Sequence, residues 1–266
     1  MIPLFLAALV FTAHQGTAVQ VKVPNEPGVK SVEVMWQTKA VPAFRAGDDW
    51  ATFLGVDLDA KPGEHTAEAV VTRDDGRVER REITVDILAK SYPTEPLKVA
   101  GKFVEPSKAD LARSQRENKE VGAIYRRITN EIVPDEPFTV PIPDEAGTNF
   151  GVRRVFNGEP RAPHSGADLH AAAGTPVHAT NRGRVVVAKK LFFTGNTVIV
   201  DHGLGIYSLY AHLSRIDVKE GEVVRNGQLV GLSGATGRVT APHLHWAMRV
   251  QDARVDPFSL IGSGSH

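Results

Sequence analysis

From Val19 to about Ile87 the chain alternates apolar and polar residues in short runs. VQVKV, SVEVMW, ATFLGVDL, TAEAVVT and REITVDI are separated by turn segments that include NEPG, KPGE and RDDG. A period of two is the mark of half-buried strands. Five or more such strands predict a small antiparallel β-sandwich, immunoglobulin-like, over residues 19–90. The period then changes. Between Pro106 and about Ile128, Val121, Ile124, Tyr125 and Ile128 form an apolar stripe at the end of a helical segment. Ser107 is placed to cap it, with Asp110 three positions on. Its first half is almost wholly polar, which predicts a helix on the surface or between domains. The following VPDEPFTVPIPDEAG carries Pro134, Pro137, Pro141 and Pro143 and reads as an extended linker, or a strap over the next domain. Residues 91–148 are thus a helical and proline-rich connector.

From Phe150 onward the strand pattern returns, and residues 149–261 are expected to form a compact antiparallel β-sheet domain. In TVIVDHGLGIYSLYAHL two strands meet around Gly203-Leu204-Gly205. On the second, Ser208, Tyr210 and His212 are expected on one face, and Tyr207, Leu209 and Leu213 on the other. Near the C-terminus, PHLHWAM reads as a strand. His243, His245, Ala247 and Arg249 line one side, and Leu244, Trp246, Met248 and Val250 line a core side. The chain is therefore expected to be mainly β, a sandwich and a connector preceding a second β domain.

Composition adds limits. The 266 residues have zero net charge, but residues 150–266 hold 13 of the 31 basic and 8 of the 31 acidic side chains, a balance of +5, against −5 for residues 1–149. With no polybasic run, nucleic-acid binding has little support. The first 18 residues, MIPLFLAALVFTAHQGTA, are uncharged and resemble a secretory signal peptide cleaved after Ala18, although the basic start is missing. Their apolar run is too short to span a bilayer comfortably, and no later run is longer, so an integral membrane protein is not expected. An exported protein, periplasmic or extracellular, is. Cysteine is absent, which leaves export without a disulfide signature. The terminal GSGSH is set aside as foreign to the fold.

Seven of the ten histidines lie between His164 and His245. In PHSGADL, His164 and Asp168 are four apart, on one face of an extended segment, with Gly166 allowing a bend. Imidazole and carboxylate are both good zinc donors. One histidine from PHLHW, with spacing alone leaving open which, completes a His₂Asp set with a fourth position free for water, as in a catalytic site. Zinc makes water acidic enough to act near neutral pH. A hydrolase also needs groups that orient water, stabilise an oxyanion and protonate a leaving amine. His212 in YAHL and the other member of the PHLHW pair are available for this.

HSGAD, LYAHL and PHLHW, in this order and with glycine-rich hairpins between them, resemble the lysostaphin-type zinc metalloendopeptidases that cut peptidoglycan peptides. The resemblance runs from about Phe150 to Phe258. It implies that His164, Asp168 and His245 bind zinc and that His212 and His243 are the catalytic histidines, which settles the choice within the pair. It also implies a groove in a compact antiparallel sheet, peptidoglycan peptides as partners, and crosslinks of the D-alanyl–diaminopimelate kind as substrates. Of the remaining histidines, His170, His178 and His202 are expected on the surface or behind a metal-bound imidazole. Arg161 is expected to be an ordinary exposed arginine, with contact to a substrate carboxylate as the alternative.

Two other readings compete. Some relatives have lost their metal ligands and regulate other wall hydrolases, but here all five positions are intact. A lipoyl- or biotinyl-type carrier is hinted at by EGEVVRNGQLVGLSG. Such a module needs a lysine at a hairpin tip, and Lys219 precedes the glycine turn. The region before Asn149 is expected to position substrate or cover the groove. Oligomeric state is not readable.

Overall fold

The structure is a computed structural model, and it describes residues 9–97, 107–130, 132, 134, 136–143, 148–156, 159–160 and 162–261. Its elements are almost all strands. The first eight are β1 (Leu9–His14), β2 (Thr17–Pro24), β3 (Val29–Trp36), β4 (Lys39–Pro42), β5 (Phe44–Ala46), β6 (Asp49–Val56), β7 (Gly63–Arg73) and β8 (Val78–Leu88). They pair in the orders β1-β8-β7-β3-β4 and β2-β6-β5. The inward residues of the two sheets, among them Val21, Val34, Trp36, Leu54, Val71 and Val85, pack as one buried cluster. This is the expected sandwich, because each strand turns alternate side chains to an inner face and two such faces must cover each other, while β6 is buried on both sides.

The sandwich begins ten residues before the expected boundary. Leu9–His14 runs parallel to β8, Ala13 is buried in the sandwich core, and Thr17 and Ala18 start β2 opposite Val56 and Gly55. The apolar alternation of LVFTAH serves strand pairing, and a cut after Ala18 would remove β1 and split β2. Residues 1–8 of the expected leader lie outside the described residues, as does the terminal segment 262–266.

The connector starts with β9 (Thr94–Leu97), and its helix α1 covers Lys108–Tyr125. Ser107 caps the helix as expected, its hydroxyl accepting from the Asp110 N–H at 3.1 Å. The apolar stripe does the docking. Val121, Ile124 and Tyr125 pack on Val187, Ile199 and Tyr207, with the Tyr125 and Tyr207 rings 5.5 Å apart. Ile128 packs against the main core. The proline-rich segment is a strap: Phe138 and Ile142 are buried, and Thr139 and Pro141 bond to the backbones of Thr180 and His178. No described helix is long and apolar enough to cross a membrane.

The remaining strands are β10 (Arg153–Phe156), β11 (Glu159–Pro160), β12 (Ala167–His170), β13 (Pro176–His178), β14 (Gly183–Leu191), β15 (Gly195–Asp201), β16 (Ile206–Leu213), β17 (Arg215–Ile216), β18 (Val223–Val224), β19 (Leu229–Leu232), β20 (His243–Val250) and β21 (Ala253–Val255). The main sheet runs β12-β20-β16-β15-β14-β18, with β21 on the end of β20, and β13-β19-β17 form a smaller sheet. All pairs in these two sheets are antiparallel.

The two β regions share a core. Val41 and Phe53 of the sandwich and Phe138 of the strap belong to the same buried cluster as Leu244, Trp246 and Met248. Gln251, held at φ 48°, is the polar anchor of this contact. Its side chain accepts from the Gly55 N–H and donates to the carbonyls of Phe53 and Leu204, all within 2.9 Å. Arg254 adds a bidentate pair with Asp57. A truncation near Asn149 would therefore strip part of the second β region's core as well as the sandwich.

Candidate metal centre and groove

β20 carries the site because of its alternation. Leu244, Trp246, Met248 and Val250 are fully buried, so His243, His245, Ala247 and Arg249 must face the other way. β12 lies beside it with Asp168 directly opposite His245 and His170 opposite His243. Directly paired residues share a face, which brings the Asp168 carboxylate to the His245 imidazole. His164 arrives from the loop before β12. The chain bends at Gly166 as expected, and the glycine also allows a close approach: a Cβ on it would sit 2.6 Å from the Trp246 carbonyl oxygen and 2.8 Å from His245 Cε1.

Three atoms converge. His245 Nδ1 is 2.8 Å from Asp168 Oδ1, and His164 Nε2 is 3.1 Å from each of them. A tetrahedral zinc with bonds of about 2.0–2.1 Å needs its ligand atoms about 3.3 Å apart. The trio has to open by only a few tenths of an ångström, so the residues fit a zinc ion. Burial by itself would raise the Asp168 carboxyl, but the hydrogen bonds and charge of His164 and His245 outweigh it and hold it well below the usual carboxylate range. A permanently ionised carboxylate is what a cation site requires.

Asn149, which carries no sequence signal beyond its place in TNFG, organises this trio. Its side-chain oxygen accepts from the Asp168 N–H at 2.9 Å, and its amide donates to Asp168 Oδ2 at 3.1 Å. Its carbonyl accepts from His164 Nδ1–H at 3.2 Å, which leaves the His164 Nε2 lone pair pointing inward. Asn149→Ala is expected to weaken zinc binding about 10–100-fold, read by competition against a chelating dye; unchanged affinity would remove Asn149 from the site.

His212 and His243 flank the trio. The His212 ring lies 5.0 Å from that of His243 and 6.0 Å from that of His245. Each has one nitrogen committed to a main-chain carbonyl: His212 Nδ1 donates to Thr236 and His243 Nδ1 to Ala241, both at 2.9 Å. The His212 Nε2 is left as an acceptor, and the His243 Nε2 faces Asp168. Burial, only partly offset by the Thr236 carbonyl, lowers the His212 pKa to about 4, so it is neutral at pH 7.

Strict alternation would send His212 to the core face with Ser208 and Tyr210. The structure puts it on the other side. β16 contains an extra residue against β15, where Asn196 pairs with Leu213 but Val198 pairs with Tyr210, and His212 adopts φ 63°. The bulge swings the imidazole out to the site and turns Leu213 into the core with Tyr210. The expected partition of β16 faces is thus corrected at these two residues.

The other histidines divide differently from expectation. His170 is exposed and His178 partly so. His202 is neither on the surface nor behind a ligand: it is fully buried, bonded to the Arg182 carbonyl and the Ser208 hydroxyl, with its ring edge-on to Phe138. Arg161 lies outside the described residues.

A groove of about 210 Å³ leads away from the trio. His245 and Ser165 close one end, Leu209 and Ala247 form the floor, and Val121 and Tyr125 of α1 make one wall. The helix therefore borders the site.

Comparison with known proteins matches residues 162–257 to the family model described as Peptidase family M23. A crystal structure of a putative peptidase M23 from Pseudomonas aeruginosa is similar over 94% of this chain and 95% of that one, with 32% identity and a TM-score of 0.72. The peptidoglycan DD-endopeptidase ShyA of Vibrio cholerae is 44% identical over 110 residues, 41% of this chain and 26% of that protein. The DD-carboxypeptidase/endopeptidase Mpg of Neisseria meningitidis is 41% identical over 97 residues, 36% of this chain and 22% of that protein. The chain thus spans about a quarter of the length of these curated relatives.

Proposed function

The chain belongs to peptidase family M23, and on that premise we propose that it is a zinc-dependent endopeptidase hydrolysing peptide crosslinks or stem peptides of bacterial peptidoglycan. The observation that carries this is the convergence of His164, Asp168 and His245 within 4.8 Å, with two further imidazoles beside them. The substrate class rests on ShyA, named a peptidoglycan DD-endopeptidase, with Mpg, named a DD-carboxypeptidase/endopeptidase, agreeing on the reaction type.

In this reading His164 Nε2, Asp168 Oδ1 and His245 Nδ1 hold the ion, and Asn149 keeps the first two aimed at it. Bound there, zinc supplies Lewis acidity to the scissile carbonyl and to water. The protein supplies the proton traffic. His212, neutral and with Nδ1–H tied to Thr236, accepts a proton at Nε2 from the attacking water. It then returns that proton to the departing amine, so that one water and one amide become a carboxylate and an amine. His243 stands on the other side, its Nε2 3.6 Å from Asp168 Oδ1, where in the form that carries a proton on both ring nitrogens it donates to the carbonyl oxygen as charge develops.

Action on the wall places the protein outside the cytoplasm, in the periplasm or beyond. Export is proposed on the substrate class alone, since residues 9–18 of the expected leader belong to β1 and β2.

Incubating the intact zinc-loaded chain with crosslinked muropeptides and following the products by mass spectrometry tests the proposal. The expected result is conversion of dimers into monomers bearing a new carboxylate and a new amine, stopped by chelator and restored by zinc. Stoichiometric zinc with no turnover would favour a non-catalytic regulator of other wall hydrolases instead.

A further inference from the structure

The groove ends, away from the metal centre, at Arg249. This residue sits on the same face of β20 as His245, four positions on, about 13–14 Å along the strand. Its guanidinium lies 5.4 Å from the centre of the Tyr125 ring on α1. Among the described residues it forms no hydrogen bond or ion pair. The surrounding charges are otherwise engaged. Asp57 is held by Arg254. Glu117, in the groove wall, accepts from Arg113 and from the Phe192 N–H. Asp252 stands at longer range, as does the repelling like charge of Arg254. Burial pulls the guanidinium below its ordinary pKa, as befits a cation short of counter-charge.

A partly buried arginine without a carboxylate, at the end of a groove lined by Leu209 and Ala247, lacks a ligand of one kind. We propose that Arg249, stacked on Tyr125, is the subsite for a free carboxylate of the substrate peptide, held away from the scissile bond. The inference rests on the peptidase reading and adds what selects the substrate. A planar fork matches a carboxylate with two parallel bonds, and the aromatic face behind it keeps the fork in plane. Peptidoglycan stem peptides carry such carboxylates on their D-glutamate, diaminopimelate and terminal D-alanine residues, and amidation removes the charge with little change in size. It also gives α1 a role: the connector helix completes the subsite that the catalytic sheet begins.

The test compares one muropeptide in its free-acid form with the same peptide amidated at each of those carboxylates in turn. For the intact chain, amidation at the recognised position is expected to raise KM about tenfold or more, the loss of a charged hydrogen-bonded pair, with kcat nearly unchanged. Arg249→Met should raise KM for the free acid equally and leave the amidated peptide unaffected, and Arg249→Lys should recover part of the difference. If the intact chain treats every amidated form like the free acid, the proposal falls whatever the variants do. Equal loss on both peptides in Arg249→Met would also overturn it, as a merely structural role. Calorimetric binding of the product peptides, free and amidated, reads the subsite without turnover. Preference for the free acid there would uphold the subsite even if the hydrolytic reading failed, and equal binding would sink it.

Discussion

Replacing His245 by Ala is expected to abolish both metal content and wall cleavage. His245 sits against both other ligands, 2.8 Å from Asp168 and 3.1 Å from His164. Residues behind a ligand typically cost about 10–100-fold in affinity, so loss of a ligand itself should cost more. Two donors remain, and an ion held by two is exposed to exchange with any chelator. The measurements are zinc per chain by elemental analysis and dimer consumption by mass spectrometry. The strand should survive, because its packing side, Leu244, Trp246 and Met248, is untouched. Circular dichroism and the melting temperature check that. A variant that keeps one zinc per chain and full cleavage would overturn the assignment of all three ligands.

His212→Asn is expected to lower kcat by about 10²–10⁴-fold, the usual contribution of a positioned acid–base group, while zinc content stays at one per chain. Asparagine is chosen because the position has φ 63°, a conformation it tolerates far better than most residues. An alanine there would mix backbone strain with lost chemistry. The split between unchanged metal and lost turnover separates a proton-transfer role from a ligand role. If zinc were lost along with activity, His212 would belong to the coordination sphere and the division of roles would be wrong. If neither changed, the proton traffic would have to run through His243.

Much of the arrangement follows from local rules. The period of two in HLHWAMRV puts the histidines and Arg249 on one side and the core residues on the other, and the structure keeps that division along the strand. The cap at Ser107 and the stripe at Val121, Ile124 and Tyr125 were legible because both depend on neighbours three or four residues away. Leu9–His14 is ambiguous for a related reason. An apolar run ending in small residues has the composition of a leader and equally that of a strand, and its pairing with β8 is visible only in three dimensions.

Asn149 and the bulge at His212 had no such signal. Asn149 acts through bonds to Asp168 and His164, 19 and 15 residues away, and a lone asparagine before a glycine-containing turn looks like any loop residue. The bulge exists because β16 must match β15 on one edge and still place Leu213 in the core. That conflict between two strands is invisible in either alone.

By itself, the sequence determined the strand periods, the helix and its cap, and the kinds of side chain available for chemistry. These depend on residues close together along the chain. Tertiary structure alone decided which donor atoms meet, which way His212 faces, that the sandwich and the catalytic sheet share a core, and that α1 walls the groove. Each of those is a contact between segments far apart in the chain, selected by packing and by the need to pair buried polar groups.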